Sequence, residues 1–228
     1  MLPFTREQFF DLFVQYNKDV WPVQIGAYVL GLAMIFLLFV PSRGRNRIIG
    51  VGLAAMWGWT GIVYFWDYFA SINKAAPVFG ALFVLQAALF LYSGAIRGHE
   101  KYRPSRGAHA WVGWSLVAYA AVLYPLIGLW TKHSLEALPM FGITPCPVTI
   151  FTLGMLLLAR PVYGWLLAIP VLWSLVGGSA AFLLGVPQDW VLLASGFAVL
   201  WIAYRDRAHA AALRLDRRQD APAGAAYK

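Results

Sequence analysis

Residues 21–40 contain no charged side chain. The hydrocarbon of a bilayer is about 30 Å thick, and roughly 20 apolar residues in an α-helix cross it. The chain repeats such stretches at 48–66, 78–96 and 111–130, with polar, basic or helix-breaking sequence between them. None alternates apolar and polar positions as a membrane barrel strand does, so the crossing elements are expected to be helices, which satisfy their own backbone hydrogen bonds in lipid. Composition agrees. With 61% hydrophobic and 12% charged residues and a mean hydropathy of +0.64, a chain of 228 residues holds more apolar side chain than a water-soluble domain can bury.

From residue 148 to 184 the apolar sequence is interrupted by one charge, Arg160, followed by Pro161. A straight helix over that range would be roughly 55 Å long, far beyond the hydrocarbon, so it divides at Arg160-Pro161. This gives a fifth span from Thr144, a sixth over 162–184 and, after GVPQD, a seventh over 190–204. The expectation is an all-α, polytopic membrane protein: an amphipathic interfacial helix in residues 1–20, seven transmembrane helices in 21–204 and a charged tail in 205–228. Seven spans leave only Arg6, Lys18, Lys74 and Lys132 of the 18 basic residues on one side. The excess of Lys and Arg marks the cytoplasmic side, placing the N-terminus outside and the C-terminus in the cytoplasm. The net charge of +8 therefore reflects topology and attraction to anionic lipid, and no basic soluble domain points to nucleic acid.

Ahead of the first span, Thr5 followed by Gln8 forms a capping box, and Phe4 is placed to staple against Phe9. Phe9, Leu12, Phe13, Tyr16 and Val20 share one helical face, with Glu7, Asp11, Lys18 and Asp19 largely elsewhere. Such a helix lies along the outer membrane surface. It serves either as an anchor fixing the depth of the first span, the plainer reading, or as a lid over an outward cavity.

The only cysteine sits in FGITPCPVTIFTLG, residues 141–154. Proline is tolerated in the first turn of a helix, where amides lack intrahelical partners, so Pro145 and Pro147 mark a helix start with Thr144 as its cap. The Thr144 hydroxyl can then accept from the Cys146 amide, and the sulfur lies at the positive end of the helix dipole. A fifth helix of about 24 Å starts below the outer surface. Irregular backbone at that depth is stable only when buried in protein or lining a wet cavity, and broken helices of this kind bind solutes and ions in transporters. Against this stand plainer readings: a lone cysteine as a small buried side chain, and Thr149 and Thr152 bonding back to their own helix.

Other polar residues collect on the outward side: Asp67 and Lys74, which can pair, Asn73, His133, Glu136, Gln188 and Asp189. Asn73 and Asp189 also read as helix caps. Gln86 lies inside the third span, where an unpaired amide is costly, so it should meet another helix or a cavity. Ser174, Gly177, Gly178, Ser179 and Ala181 are spaced for close helix packing. The candidate site is therefore Cys146 and Thr144 as binding groups, Thr149 as lining, Asp67 and Lys74 as gate or charge relay, and Gln86 as a buried polar contact. No cofactor motif and no catalytic motif is present; a soft metal could use Cys146, His133 and Met140 only if folding converges them.

The segments PCPVTIFTLGMLLL, SINKAAPVFG and VGGSAAFLLGVPQD, with the opening LPFTREQFF, resemble an uncharacterised family of bacterial integral membrane proteins of about this length, sometimes loosely labelled permeases. The resemblance implies a bacterial inner-membrane protein and carries no catalytic residues. The function expected is a permease or binding protein for a small solute or soft metal ion. The alternatives are a membrane-embedded thiol or redox protein and a non-transporting scaffold subunit.

Overall fold

The computed structural model describes residues 3–98, 101–103, 107–131, 134–161 and 163–219. His99, Arg106, Lys132, His133, Val162 and the end of the tail, 220–228, lie outside the described residues. Among those described the fold is helical apart from one two-residue β pair: α1 (Arg6–Asp19), α2 (Val23–Phe39), α3 (Arg45–Ser71), α4 (Ala76–Arg97), α5 (Ala108–Trp130), α6 (Pro145–Leu157), α7 (Gly164–Leu184) and α8 (Trp190–Gln219). Four of these, α3, α4, α5 and α7, are each long and apolar enough to cross a membrane, and α1 with α2, bent by 85°, makes a fifth if taken as one span. These helices mark a membrane protein. The extended bridge between α6 and α7 contains Arg160-Pro161, where the long apolar run was expected to divide. There β1 (Lys101–Tyr102) pairs antiparallel with β2 (Ala159–Arg160).

α1 starts as its sequence requires. Gln8 N donates to Thr5 Oγ1 at 3.2 Å, Thr5 N donates to Gln8 Oε1 at 2.9 Å, and the Phe4 ring stacks on Phe9 at 5.9 Å. The helix ends before Trp21 and a cis Pro22, and α2 leaves nearly at right angles. α2 turns Ile25, Val29, Leu32, Phe36 and Phe39 outward on one stripe, the arrangement lipid favours, and buries Ala27, Gly31, Met34 and Leu38. α8 does not stop where its apolar sequence ends at Tyr204 but continues as helix to Gln219.

Backbone contact at glycine joins consecutive helices in pairs. A Cβ on Gly50 would lie 2.9 Å from Gly94 Cα, and one on Gly61 2.8 Å from Gly80 O, so α3 and α4 touch main chain to main chain at two levels. α5 and α6 do the same at Gly113 and Gly154, where a Cβ on Gly154 would lie 2.7 Å from Gly113 O. α7 meets α8 where a Cβ on Gly178 would lie 3.0 Å from Leu193 N. In lipid there is little hydrophobic drive between helices, and close approach through small residues supplies dispersion instead. The packing role read for Ser174, Gly177 and Gly178 fits this contact; Ser179 is exposed.

Every residue of α6 is buried. Helices that are apolar all round occupy the interior, and α6 is the axis around which α3, α5, α7 and α8 gather. Trp57 Nε1 on α3 donates to Thr152 Oγ1 at 2.8 Å, so this threonine takes an interhelical bond. Replacing Gly154 by leucine should cost about 1–3 kcal/mol through overpacking. Gly26→Ala, with nothing within 4 Å of the new Cβ, should leave thermal unfolding in detergent nearly unchanged.

Candidate functional site

At the start of α6 the chain turns sharply. Gly142 has φ +78°, a left-handed conformation that favours glycine. Thr144 is extended, as a cap residue should be, yet its hydroxyl does not accept from Cys146: it donates to Met140 O at 2.8 Å. The expected capping bond is thus replaced, because the turn at Gly142 returns a carbonyl that would otherwise be unsatisfied. Thr149 Oγ1 donates to Pro145 O at 2.8 Å, the back-bonded arrangement. Both threonines are fully buried, and neither lines a cavity described here.

Cys146 does. It borders a cavity of about 360 Å³ lined by α1, the C-terminal half of α3, the start of α4, the C-terminal half of α7 and the turn before α8. Exposed Ala75, Ser179 and Leu183 rim its mouth, and buried Cys146 and Asp189 form its inner end. Phe9 and Phe13 of α1, Phe65 and Phe69 of α3, Phe79 of α4 and Trp173 of α7 supply aromatic walls.

The face of α1 expected on the membrane is therefore folded onto protein. Phe13 stacks on Tyr64 at 5.6 Å, and Tyr16 meets Tyr64 and Tyr68 edge-on. Tyr16 OH donates to Ile143 O at 2.7 Å while accepting from Trp59 Nε1 at 2.9 Å. Asn17 Nδ2 donates to Glu136 O and Leu138 O at 2.6 and 2.8 Å. The Lys18–Glu136 ion pair at 3.1 Å is exposed and adds little. These bonds hold α1 on the 134–144 segment that leads down to Cys146.

Asp189 is the residue whose surroundings depart furthest from expectation. Its place before a helix predicts a cap that meets water, but it is 3% exposed and, among the described residues, no backbone amide donates to its carboxyl. Tyr124 OH of α5 donates to it, and the Cys146 thiol lies beside it. Burial pushes the carboxyl up from the usual range to about 6, against the hydroxyl and thiol, which favour the ionised form. Next to it, Gln188 is buried with neither side-chain amide atom partnered, although its main-chain carbonyl accepts from Tyr119 OH at 2.8 Å. The indole N–H of Trp173 is buried beside the Cys146 sulfur and makes no hydrogen bond of ordinary geometry.

Asp67, Lys74 and Gln86 sit apart from the cavity, while Asn73 borders it. Asp67 and Lys74 are exposed and form no ion pair with each other. Gln86 is fully buried, its Nε2 donating to Leu166 O at 3.1 Å across to α7 and its Oε1 unpartnered, away from the cavity. Asn73, expected as a cap, closes a local turn instead: its Oδ1 accepts from Ala75 N at 2.9 Å, and Ala75 is the residue that caps α4. No group of three His, Cys, Asp or Glu side chains converges among the described residues. The site's sequence signal lay elsewhere: an acid following Pro-Gln immediately before a span, and a tyrosine before proline inside α5.

A bundle of helices long and apolar enough for a membrane, around a buried short helix and an aromatic pocket, defines a polytopic membrane protein. The chain belongs to a family of unknown function, DUF6064, whose model matches residues 6–213. Neither a curated protein nor a solved structure matches it.

The acid at the inner end makes stability depend on pH. Its proton is held more tightly in the folded chain than the ordinary value of 3.8 allows, so the contribution is full below about pH 4 and is lost as pH rises through about 6. Unfolding followed at stepped pH should show this fall in the native protein and not in Asp189→Asn. Tyr124→Phe, which removes a donor to the carboxylate, should move the Asp189 midpoint upward, read from the protonated carboxyl stretch in infrared difference spectra.

Proposed function

We propose that this chain is a bacterial inner-membrane protein of seven crossings, amino terminus outside and carboxyl terminus in the cytoplasm, that binds or admits a small solute through the cavity at the start of α6. The observation that carries the reading is an aromatic cavity of about 360 Å³ ending on two buried polar groups, Cys146 and Asp189. Small-molecule sites have this character: mostly apolar walls, few convergent polar groups, and volumes from about 300 Å³ upward. The crossing count is supported by α2, α6 and α8, which join the four long helices if α6 crosses as a short, fully enclosed segment. The asymmetry of Lys and Arg supports the orientation.

In this reading Cys146 and Asp189 contact the solute, Thr144 and Thr149 shape the helix start, and Gln86 braces α4 against α7. Asp67 and Lys74 belong to the outer surface. The soft-metal version has two donors, one sulfur and one carboxyl, short of the four that a tetrahedral site takes. The redox alternative has one sulfur and no second cysteine to resolve a disulfide.

A membrane-impermeant maleimide added from outside should label Cys146 slowly in intact cells, and Cys146→Ala should abolish labelling. Phe13→Trp, which fills the cavity, should slow the reaction at least tenfold. Labelling only after denaturation would overturn the outward cavity. A phosphatase fused after residue 219 should be inactive, as a cytoplasmic end requires.

A further inference from the structure

We infer that the solute taken by this cavity is a lipophilic organic cation, an ammonium group on a compact apolar body, seated with its charge at Asp189. The inference deepens the proposed function and rests on the cavity being the solute site.

Three observations converge on it. Asp189 is the one ionisable carboxyl on the lining, it is buried, and no lysine, arginine or histidine lines the cavity among the described residues. A buried acid without a cation is an incomplete pair, because burial penalises its charge and the Tyr124 hydroxyl and Cys146 thiol offset that only in part. The walls are ring faces and edges: Phe9, Phe13, Phe65, Phe69, Phe79 and Trp173. Aromatic faces carry negative quadrupole density and attract ammonium groups, and the charge of an ionised Asp189 repels an anion. Finally, a volume of about 360 Å³ sits at the small end of ligand sites, room for a single-ring amine rather than a lipid or peptide.

The cation arrives at an acid that holds a proton below neutrality, so its binding releases that proton to water and is weakened by acidification. α5 contributes Tyr124 and Tyr119, α6 contributes Cys146 and α3 contributes Tyr64, all neutral near pH 7 in their ordinary forms. α7 carries no ionisable side chain. Arg6 of α1 is exposed at the outer edge, its guanidinium lying over Gly185 and the Phe10 ring. The carboxyl of Asp189 is thus the group whose charge changes between pH 5 and 8.

The test uses the purified full chain in lipid nanodiscs and three probes of one shape: 2-phenylethylammonium, the neutral 2-phenylethanol and the anionic 3-phenylpropionate. Titration calorimetry, with tryptophan fluorescence as a second readout, should show the ammonium binding at least tenfold more tightly than the alcohol at pH 8 and the anion not binding. Moving the native protein from pH 8 to 5 should weaken the ammonium about tenfold and leave the alcohol unchanged. Asp189→Asn should reduce the ammonium to the alcohol's affinity. Equal affinity for ammonium and alcohol in the native protein at pH 8, or ammonium binding indifferent to pH, overturns the cation assignment while the cavity stands as a solute site. Failure of all three probes at millimolar concentration overturns both. The pH series on native protein decides the matter even if the Asp189 variant does not fold.

Discussion

A helix of 13 residues, α6, is enclosed on every side, and its length sets the problem that the rest of the molecule solves. At about 1.5 Å per residue it reaches roughly 20 Å, shorter than the apolar layer its neighbours span. Something must fill the space above its first turn. The chain fills it with the 134–144 segment, tied by Tyr16, Asn17 and Thr144, and with the aromatic face of α1. What that filling leaves over is the cavity, bordered by the sulfur and carboxyl that α6 and the turn before α8 bring together.

The second constraint is polar satisfaction away from water. Most hydroxyls in the bundle are spent on carbonyls: Thr60 on Met56, Thr149 on Pro145, Ser174 on Val171 and Ser195 on Leu192. Such local bonds stabilise a buried hydroxyl without creating a site. The groups left incomplete stand out against this economy. Asn17, Gln24, Gln86 and Gln188 keep unpartnered amide atoms, Ser93 its hydroxyl and Trp173 its N–H, while Asp189 has hydroxyl and thiol neighbours but no cation among the described residues. Gln188, Trp173 and Asp189 are grouped near one end of the bundle, which makes that end chemically distinct.

Helix boundaries were legible because their signals are local. The capping box at Thr5, the break at Arg160-Pro161 and the prolines flanking Cys146 each name a helix end without reference to anything distant. The four helices long and apolar enough to cross a membrane follow from charge-free stretches alone, and α1 from its periodic face. Partnership across the fold was not legible. Asp189 next to a helix start reads as a cap, and only the approach of Tyr124, from a helix 65 positions earlier, reveals a buried acid. The face of α1 shows amphipathicity but not whether lipid or protein meets it, since both reward the same apolar burial. Asp67 and Lys74 are close in sequence and opposite in charge, yet the turn between α3 and α4 leaves them apart in water.

The glycine contacts carry a mechanical corollary. Where main chains touch at Gly50 with Gly94, Gly61 with Gly80, and Gly113 with Gly154, neither helix of a pair can slide or rotate without collision. Deformation is cheap only between couples: α3/α4 as one plank, α5/α6 as a second, α7/α8 as a third. The void beside Cys146 lies at the seam where the first and third planks meet under α1, so flexing of the whole would widen or narrow that seam while each plank keeps its shape.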